Sequence, residues 1–308
     1  MMGEASKTSG ELGEKLAEKL LEIIGWLGSL HNVNIPCNNE AHIGSSGNQR
    51  KSHGEDRVYI YNNPFHDDFT EVVHVSVKNN LKKYPAAQTL RTKFRSHYSD
   101  LQETIDCAVR NPEINELVSA FRGRSNVSHS GLLIWVHNDE YNVNSDIKKE
   151  LSSVRLDQDD RYPVYLIDNE RAGFILSVID HVSRSSGDAS FYYPQIGTSI
   201  KVAEERCGSY LPLELIASDV VLFVVEEFGR KVLYLYANQP FESEAYKKLI
   251  HYALKFSAGL VNDIKIGMPD FNVAKHDNEA KKARFSFQER KERIEPFSFK
   301  RSILNLLE

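Results

Sequence analysis

Cysteine is scarce in this chain: Cys37, Cys107 and Cys207 are the three in 308 residues. None forms a CxxC pair, so the sequence indicates neither a zinc ribbon nor a disulfide framework, and a reducing compartment is the default expectation. Long apolar runs are missing as well. The longest, Val220-Val221-Leu222-Phe223-Val224-Val225, falls far short of the ~20 residues that a membrane helix needs. The N-terminus has no basic start followed by an apolar stretch, but carries Glu4, Lys7, Glu11 and Glu14, which is not a secretory signal. A soluble, cytoplasmic protein without membrane association is expected. An excess of basic charge is also lacking. The net charge of -5 argues against a surface that coats nucleic acid as a whole, because such domains are basic overall; a local groove or a partner would have to supply the positive field. What the chain does have is ordinary for a globular protein: 41% hydrophobic and 26% charged residues, with length for one large or two ordinary domains.

The clearest pattern is Val73-His74-Val75-Ser76-Val77-Lys78. Valine alternates with polar residues at period 2, which predicts a half-buried strand with His74, Ser76 and Lys78 on one face. Upstream, Arg57-Val58-Tyr59-Ile60-Tyr61 is β-branched and aromatic and stops at Asn62-Asn63-Pro64, a second strand. If the two pair as neighbours, Asp56 at the start of one approaches Lys78 at the end of the other. Gly10 to Ile24 predicts an amphipathic helix with Gly25 as its stop, and Glu11, Glu14 and Glu18 on its polar face. Residues 38–54 form a long polar loop, of the kind that is functional or disordered.

Beyond Lys78, a basic patch of Lys82, Lys83, Arg91, Lys93 and Arg95 leads into one or two helices between Pro85 and Phe121. Buried strands are expected at Leu132–Val136 and Pro163–Ile167, with helices at Ser145–Leu156 and Arg171–Arg184, an α/β alternation with parallel stretches. After residue 200 the pattern changes to a hairpin, Asp219–Glu226 and Lys231–Ala237 around Phe228-Gly229-Arg230, then a helix over Ser243–Ser257. A tail from Lys275 to Arg301 mixes basic residues with Phe285, Phe287, Phe297 and Phe299.

An acidic residue at a glycine turn followed by a strand presenting a lysine is how two strands build a metal-dependent phosphodiesterase site. Mg2+ stabilises charge on the phosphoryl oxygens and activates water, provided carboxylates and carbonyls hold it with open positions. Asp56 would be the central ligand, the Val77 carbonyl a second, and Lys78 would orient water or offset charge.

With these elements in this order, the chain resembles the PD-(D/E)XK, or restriction-endonuclease-like, nuclease superfamily: a first helix with Gly13-Glu14 ending at Gly25-Trp26, a Gly54-Glu55-Asp56 turn, a strand ending Ser76-Val77-Lys78, a helical segment, then the strand Leu132–Val136. The resemblance implies a central mixed sheet flanked by helices over residues 1–200; beyond it, the change of pattern sets off an α+β extension over 201–308, expected to dock a second protein subunit or another copy. It also implies catalytic Asp56, Lys78 and Ser76; metal ligation of Mg2+ or Mn2+ by Glu14, Asp56 and Val77; and a DNA endonuclease of a bacterial restriction or defence complex. Ser76 departs from the family, which usually has Asp or Glu there; a hydroxyl removes one negative charge from the metal site. Glu71 has the wrong strand parity to replace it unless a bulge intervenes, whereas His74 or Glu55 could.

Each residue also has a plain structural reading. Glu14 complements a helix dipole, Asp56 is a turn residue, and Lys78 is an exposed strand-end lysine. His53 and His74 lack a metal-ligand spacing to a second histidine. Asp168-Asn169-Glu170 either sits where α/β proteins bind ligands or caps a helix. The alternative to the nuclease is an inactive DNA-binding or scaffold subunit on the same fold, for which Ser76 speaks, and beyond that an unrelated α/β binding module.

Overall fold

The computed structural model describes residues 2–44, 47–139, 144–157, 160–185 and 187–300, with side chains from residue 11 onward. The chain divides into two compact units, 1–63 with 67–173, and 64–66 with 174–308.

The first unit begins with helix α1 (Met2–Ile23), followed by strands β1 (Leu30–Pro36), β2 (Ser52–Asn62) and β3 (Phe69–Asn80), helices α2 (Ala87–Ala108) and α3 (Pro112–Ala120), strand β4 (Asn126–His137), the short helix α4 (Lys148–Leu151) and strand β5 (Val164–Ile167). The five strands form one sheet in the order β1-β2-β3-β4-β5. β1, β2 and β3 pair antiparallel, while β4 and β5 join in parallel. The parallel step from β3 to β4 needs a long crossover, which α2 and α3 provide.

Each face of the sheet has its helix. α2 repeats apolar residues at Leu90, Leu101, Ile105 and Ala108, and these pack with Leu133 and Trp135 of β4, and through Cys107 and Ala108 with Val58 and Val72. α1 covers the opposite face. A Cβ built on Gly13 would stand 2.4 Å from the Cβ of Asn79, so only glycine lets the helix approach β3 this closely. Trp26, just past the helix, stacks on Tyr59 of β2 with ring centroids 4.6 Å apart. α3 starts at Asn111, whose side chain accepts from the backbone N–H groups of Glu113 and Ile114, an N-cap.

The chain passes into the second unit within α5 (Asn169–Ser183). β6 (Ala189–Tyr192), β7 (Cys207–Gly208), α6 (Leu213–Ile216), β8 (Val220–Glu227), β9 (Arg230–Ala237), α7 (Ser243–Ser257), β10 (Asp263–Gly267), α8 (Val273–Phe285) and β11 (Arg293–Phe297) follow. Their sheet runs β11-β10-β9-β8-β6-β7. The expected hairpin is β8 and β9, antiparallel from Val220↔Ala237 to Glu227↔Arg230. β10 and β11 add in parallel, over a core that includes Leu233, Leu235, Leu249, Ile250, Ile264 and Ile266. The division expected at residue 200 lies inside this unit, because Phe191 of β6 pairs with Phe223 of β8. The helix expected over 145–156 contracts to α4. The tail becomes α8 and β11, and Arg301 lies outside the described residues.

Candidate active site

β2 and β3 pair from Asn62↔Thr70 to Arg57↔Val75. Towards Asp56 the ladder stops, and a side chain takes over: the backbone N–H of Val77 donates to Asp56 Oδ2 at 2.6 Å. A strand residue directs its N–H and C=O to the same edge, so the Val77 carbonyl also faces β2. Asp56 and Val77, two of the expected metal ligands, are thus brought together by direct contact.

Regular alternation in β2 breaks at this point. Val58 packs towards α2, and strict alternation would place Asp56 on the same side and Glu55 on the other. Instead Glu55 is on the α2 side: its Oε1 lies 2.5 Å from Nδ1 of His74. β1 shifts with it, since Leu30, Val33 and Ile35 all pack into the cluster with Val58, a spacing that period 2 does not allow. Both shifts coincide at Asn32, the residue between His31↔Arg57 and Val33↔Glu55, which has a left-handed φ of 51°. Asparagine is among the few non-glycine residues that adopt it readily. The irregularity exchanges roles: Asp56 turns into the gap between strands, while Glu55 joins His74, Ser76 and Lys78.

A cavity of about 120 Å3 lies on this face, lined by Arg50, Gly54, Glu55, Val75, Ser76, Lys78, Asp100, Leu101 and Thr104. Glu55 is 3% exposed, and its Oε2 is buried without a hydrogen-bond partner. An unpartnered buried carboxylate oxygen is costly unless something absent from the polypeptide fills its valence. Behind Glu55 the chain of contacts continues from His74 Nε2 to His129 Nδ1 at 2.9 Å; burial first, then His74, hold the His129 pKa down to about 3. Arg50 closes the α2 side, 2.9 Å from Asp100 and 3.6 Å from Glu103. Burial, then the Lys78 ammonium, push His97 down to about 4, so a neutral imidazole stands near Lys78 at neutral pH.

The remaining candidate residues are placed as follows. Lys78 and Ser76 line the cavity. Glu14 is exposed on α1, which packs at Asn79 on the face opposite Lys78, so the described geometry does not gather Glu14 with these residues. Glu71 is engaged elsewhere, its oxygens accepting from Asn63 and Ser130. Asp168 is a cap: Oδ1 accepts from Arg171 N and Oδ2 from Ile147 N. Arg50, Asp100, Thr104 and His97 were not singled out from the sequence; an α2 residue reveals its sheet-facing role only when its crossing of β3 is known. The loop expected over 38–54 carries an Ile43↔Gln49 bridge and gives way to β2 at Ser52; Ser45 and Ser46 lie outside the described residues. His53 does have a histidine partner, His42, with Nε2 and Nδ1 3.3 Å apart. Cys37 and Cys107, distant in sequence, bring their sulfurs to 3.9 Å.

The Gly54-Glu55-Asp56 segment expected as a turn is part of β2, and a mixed five-stranded sheet between helices, with this acidic pair on its second strand meeting the lysine-bearing third strand, is the architecture of the PD-(D/E)XK nucleases. The model of the GAPS4 protein PD-(D/E)XK nuclease domain matches residues 1–171, and the chain belongs to this family, which sets it in an anti-phage defence context. A comparison with curated proteins finds no match. Among the described residues no helix is long and apolar enough to cross a membrane.

Proposed function

We propose that the chain is a divalent-metal-dependent DNA endonuclease that hydrolyses phosphodiester bonds as part of a defence complex. The observation that carries this reading is the buried, unpartnered Oε2 of Glu55 beside Ser76 and Lys78, with Asp56 drawn to Val77. Two carboxylates and a strand carbonyl form an all-oxygen donor set, which fits Mg2+ or Mn2+. Glu55, Asp56 and the Val77 carbonyl would hold the ion, and when bound it supplies charge neutralisation and a more acidic water. Glu55 makes good the charge missing at Ser76, and His74 fixes its orientation. Lys78 offsets negative charge on the phosphoryl group. Lys82, Lys83, Lys93 and Arg95, all exposed just beyond Lys78, offer phosphate contacts for the strand on either side of the cut.

The test is incubation of the purified chain, alone and with the product of its neighbouring gene, with circular and linear duplex DNA in Mg2+, in Mn2+ and in EDTA. Cleavage with metal and none in EDTA is the expected result. Binding of DNA without cleavage under every metal condition, with and without the partner, would establish the scaffold reading that Ser76 favours.

A further inference from the structure

Outside the proposed nuclease site, four side chains converge from three separate parts of the first unit: Cys37 and His42 in the β1–β2 connection, His53 on β2 and Cys107 near the end of α2. Their candidate ligand atoms all lie within 4.8 Å of one another. Cys37 Sγ and Cys107 Sγ are 3.9 Å apart. His42 Nδ1 is 3.6 Å from Cys37 Sγ, 3.5 Å from Cys107 Sγ and 3.3 Å from His53 Nε2. A tetrahedron around zinc, with bonds of about 2.3 Å to sulfur and about 2.0–2.1 Å to nitrogen, has edges of about 3.8 Å between sulfurs, about 3.6 Å between sulfur and nitrogen, and about 3.3 Å between nitrogens. The four separations given above match the corresponding edges, and the two from His53 to the sulfurs lie within 4.8 Å.

The same distances rule out a disulfide, which needs its sulfurs at about 2.0 Å. Hydrogen bonding alone serves His42 Nδ1 poorly, because one ring nitrogen carries either a proton or a lone pair and here meets two sulfurs and a second ring nitrogen at once. A cation at the centre satisfies all four atoms. We propose that Cys37, His42, His53 and Cys107 bind a structural zinc(II) ion. Two thiolates balance its charge, and the Cys2His2 set favours zinc over the harder cations of the nuclease site. Four protein ligands, three of them buried, leave no open position, which marks a structural site. On the far side of the His42 ring, Nε2 lies 3.1 Å from the Asn39 side-chain amide, which itself meets the Asp106 carboxylate at 3.3 Å; outer contacts of this kind orient metal-bound histidines. The ion would tie the β1–β2 connection and the start of β2 to the end of α2, fixing His53 two residues before Glu55.

The full chain, purified under reducing conditions without added metal or a histidine tag, should contain about one zinc per molecule by mass spectrometry of elements. Replacement by cobalt should give the thiolate-to-metal charge-transfer band and strong visible bands of a tetrahedral sulfur-ligated ion, a readout that needs no variant. Cys37→Ser and Cys107→Ser should each lower zinc content and thermal midpoint, while Cys207→Ser and Lys78→Ala should keep the zinc. Failure of the reduced protein to take up zinc, a cobalt spectrum without the thiolate band, or zinc content unchanged in the Cys37→Ser/Cys107→Ser double variant overturns the proposal.

Discussion

At the scale of single residues, the proposed nuclease site turns on Glu55 and Asp56, adjacent carboxylates with different tasks. Asp56 has a structural task besides any chemistry, since it completes the β2–β3 ladder by accepting from Val77 N. Asp56→Ala removes that acceptor and should cost about 1–3 kcal/mol of stability, together with cleavage. Asp56→Asn keeps a side-chain oxygen for Val77 but loses the charge, so it should abolish cleavage with a much smaller loss of stability; urea denaturation beside a cleavage assay separates the two. That Asp56 meets the end of β3 was legible in the sequence, because alternating valines set the strand and the family order set the neighbour; the role of Lys78 belongs to the proposal. Glu55 was legible only as a possible replacement for the carboxylate absent at Ser76. Its place depends on the backbone of Asn32, a conformation that no periodicity announces.

At the scale of elements, the first unit depends on two local backbone features. One is the left-handed Asn32. Asn32→Val, whose branched side chain opposes this conformation, should destabilise by about 1–2 kcal/mol and reduce cleavage, because β1 and β2 would return to regular alternation and withdraw Glu55 from the cavity. Asn32→Gly should preserve both, and parallel stability and activity measurements distinguish these outcomes. The other is Gly13. Gly13→Ala places a methyl against Asn79 and should cost about 1–3 kcal/mol through overpacking, measured as a lower urea midpoint. β2, β3 and β4 were readable because their apolar residues are continuous or strictly alternating. β1 was not, since Leu30-His31-Asn32-Val33-Asn34-Ile35 carries the parity shift itself. The four ligands of the proposed zinc site were invisible for a related reason: only the packing of α2 on β1 and β2 brings Cys107 to Cys37.

At the scale of the whole molecule, both units carry a half-buried histidine that resists protonation. Burial, then Lys78, lower His97 to about 4; burial, then Arg184 and Lys265, lower His181 to about 4 as well. In the unfolded chain a histidine titrates near 6.5. Between about pH 6.5 and pH 4 the unfolded state therefore binds more protons, and stability must fall as the pH falls through that window. The urea midpoint should be lower at pH 5 than at pH 7, and His181→Gln should flatten the dependence. The hairpin and the helix α7 of the second unit were legible in the sequence. Its boundary was not, because the short strand β6 declares its allegiance only by pairing with β8. Docking of a partner subunit by this unit is the proposal that follows from its separate core.

The central claim is that Glu55, Asp56 and Lys78 form one metal-dependent nuclease site. Its most direct test is a side-by-side cleavage assay of the wild-type chain with Glu55→Gln, Asp56→Asn, Lys78→Ala and Glu71→Gln in Mg2+ and Mn2+, with folding checked by circular dichroism. The first three variants are expected to lose cleavage at least ~100-fold, as on removing a group that stabilises transition-state charge, while folded Glu71→Gln retains it. Full activity in folded Glu55→Gln or Lys78→Ala would contradict the claim.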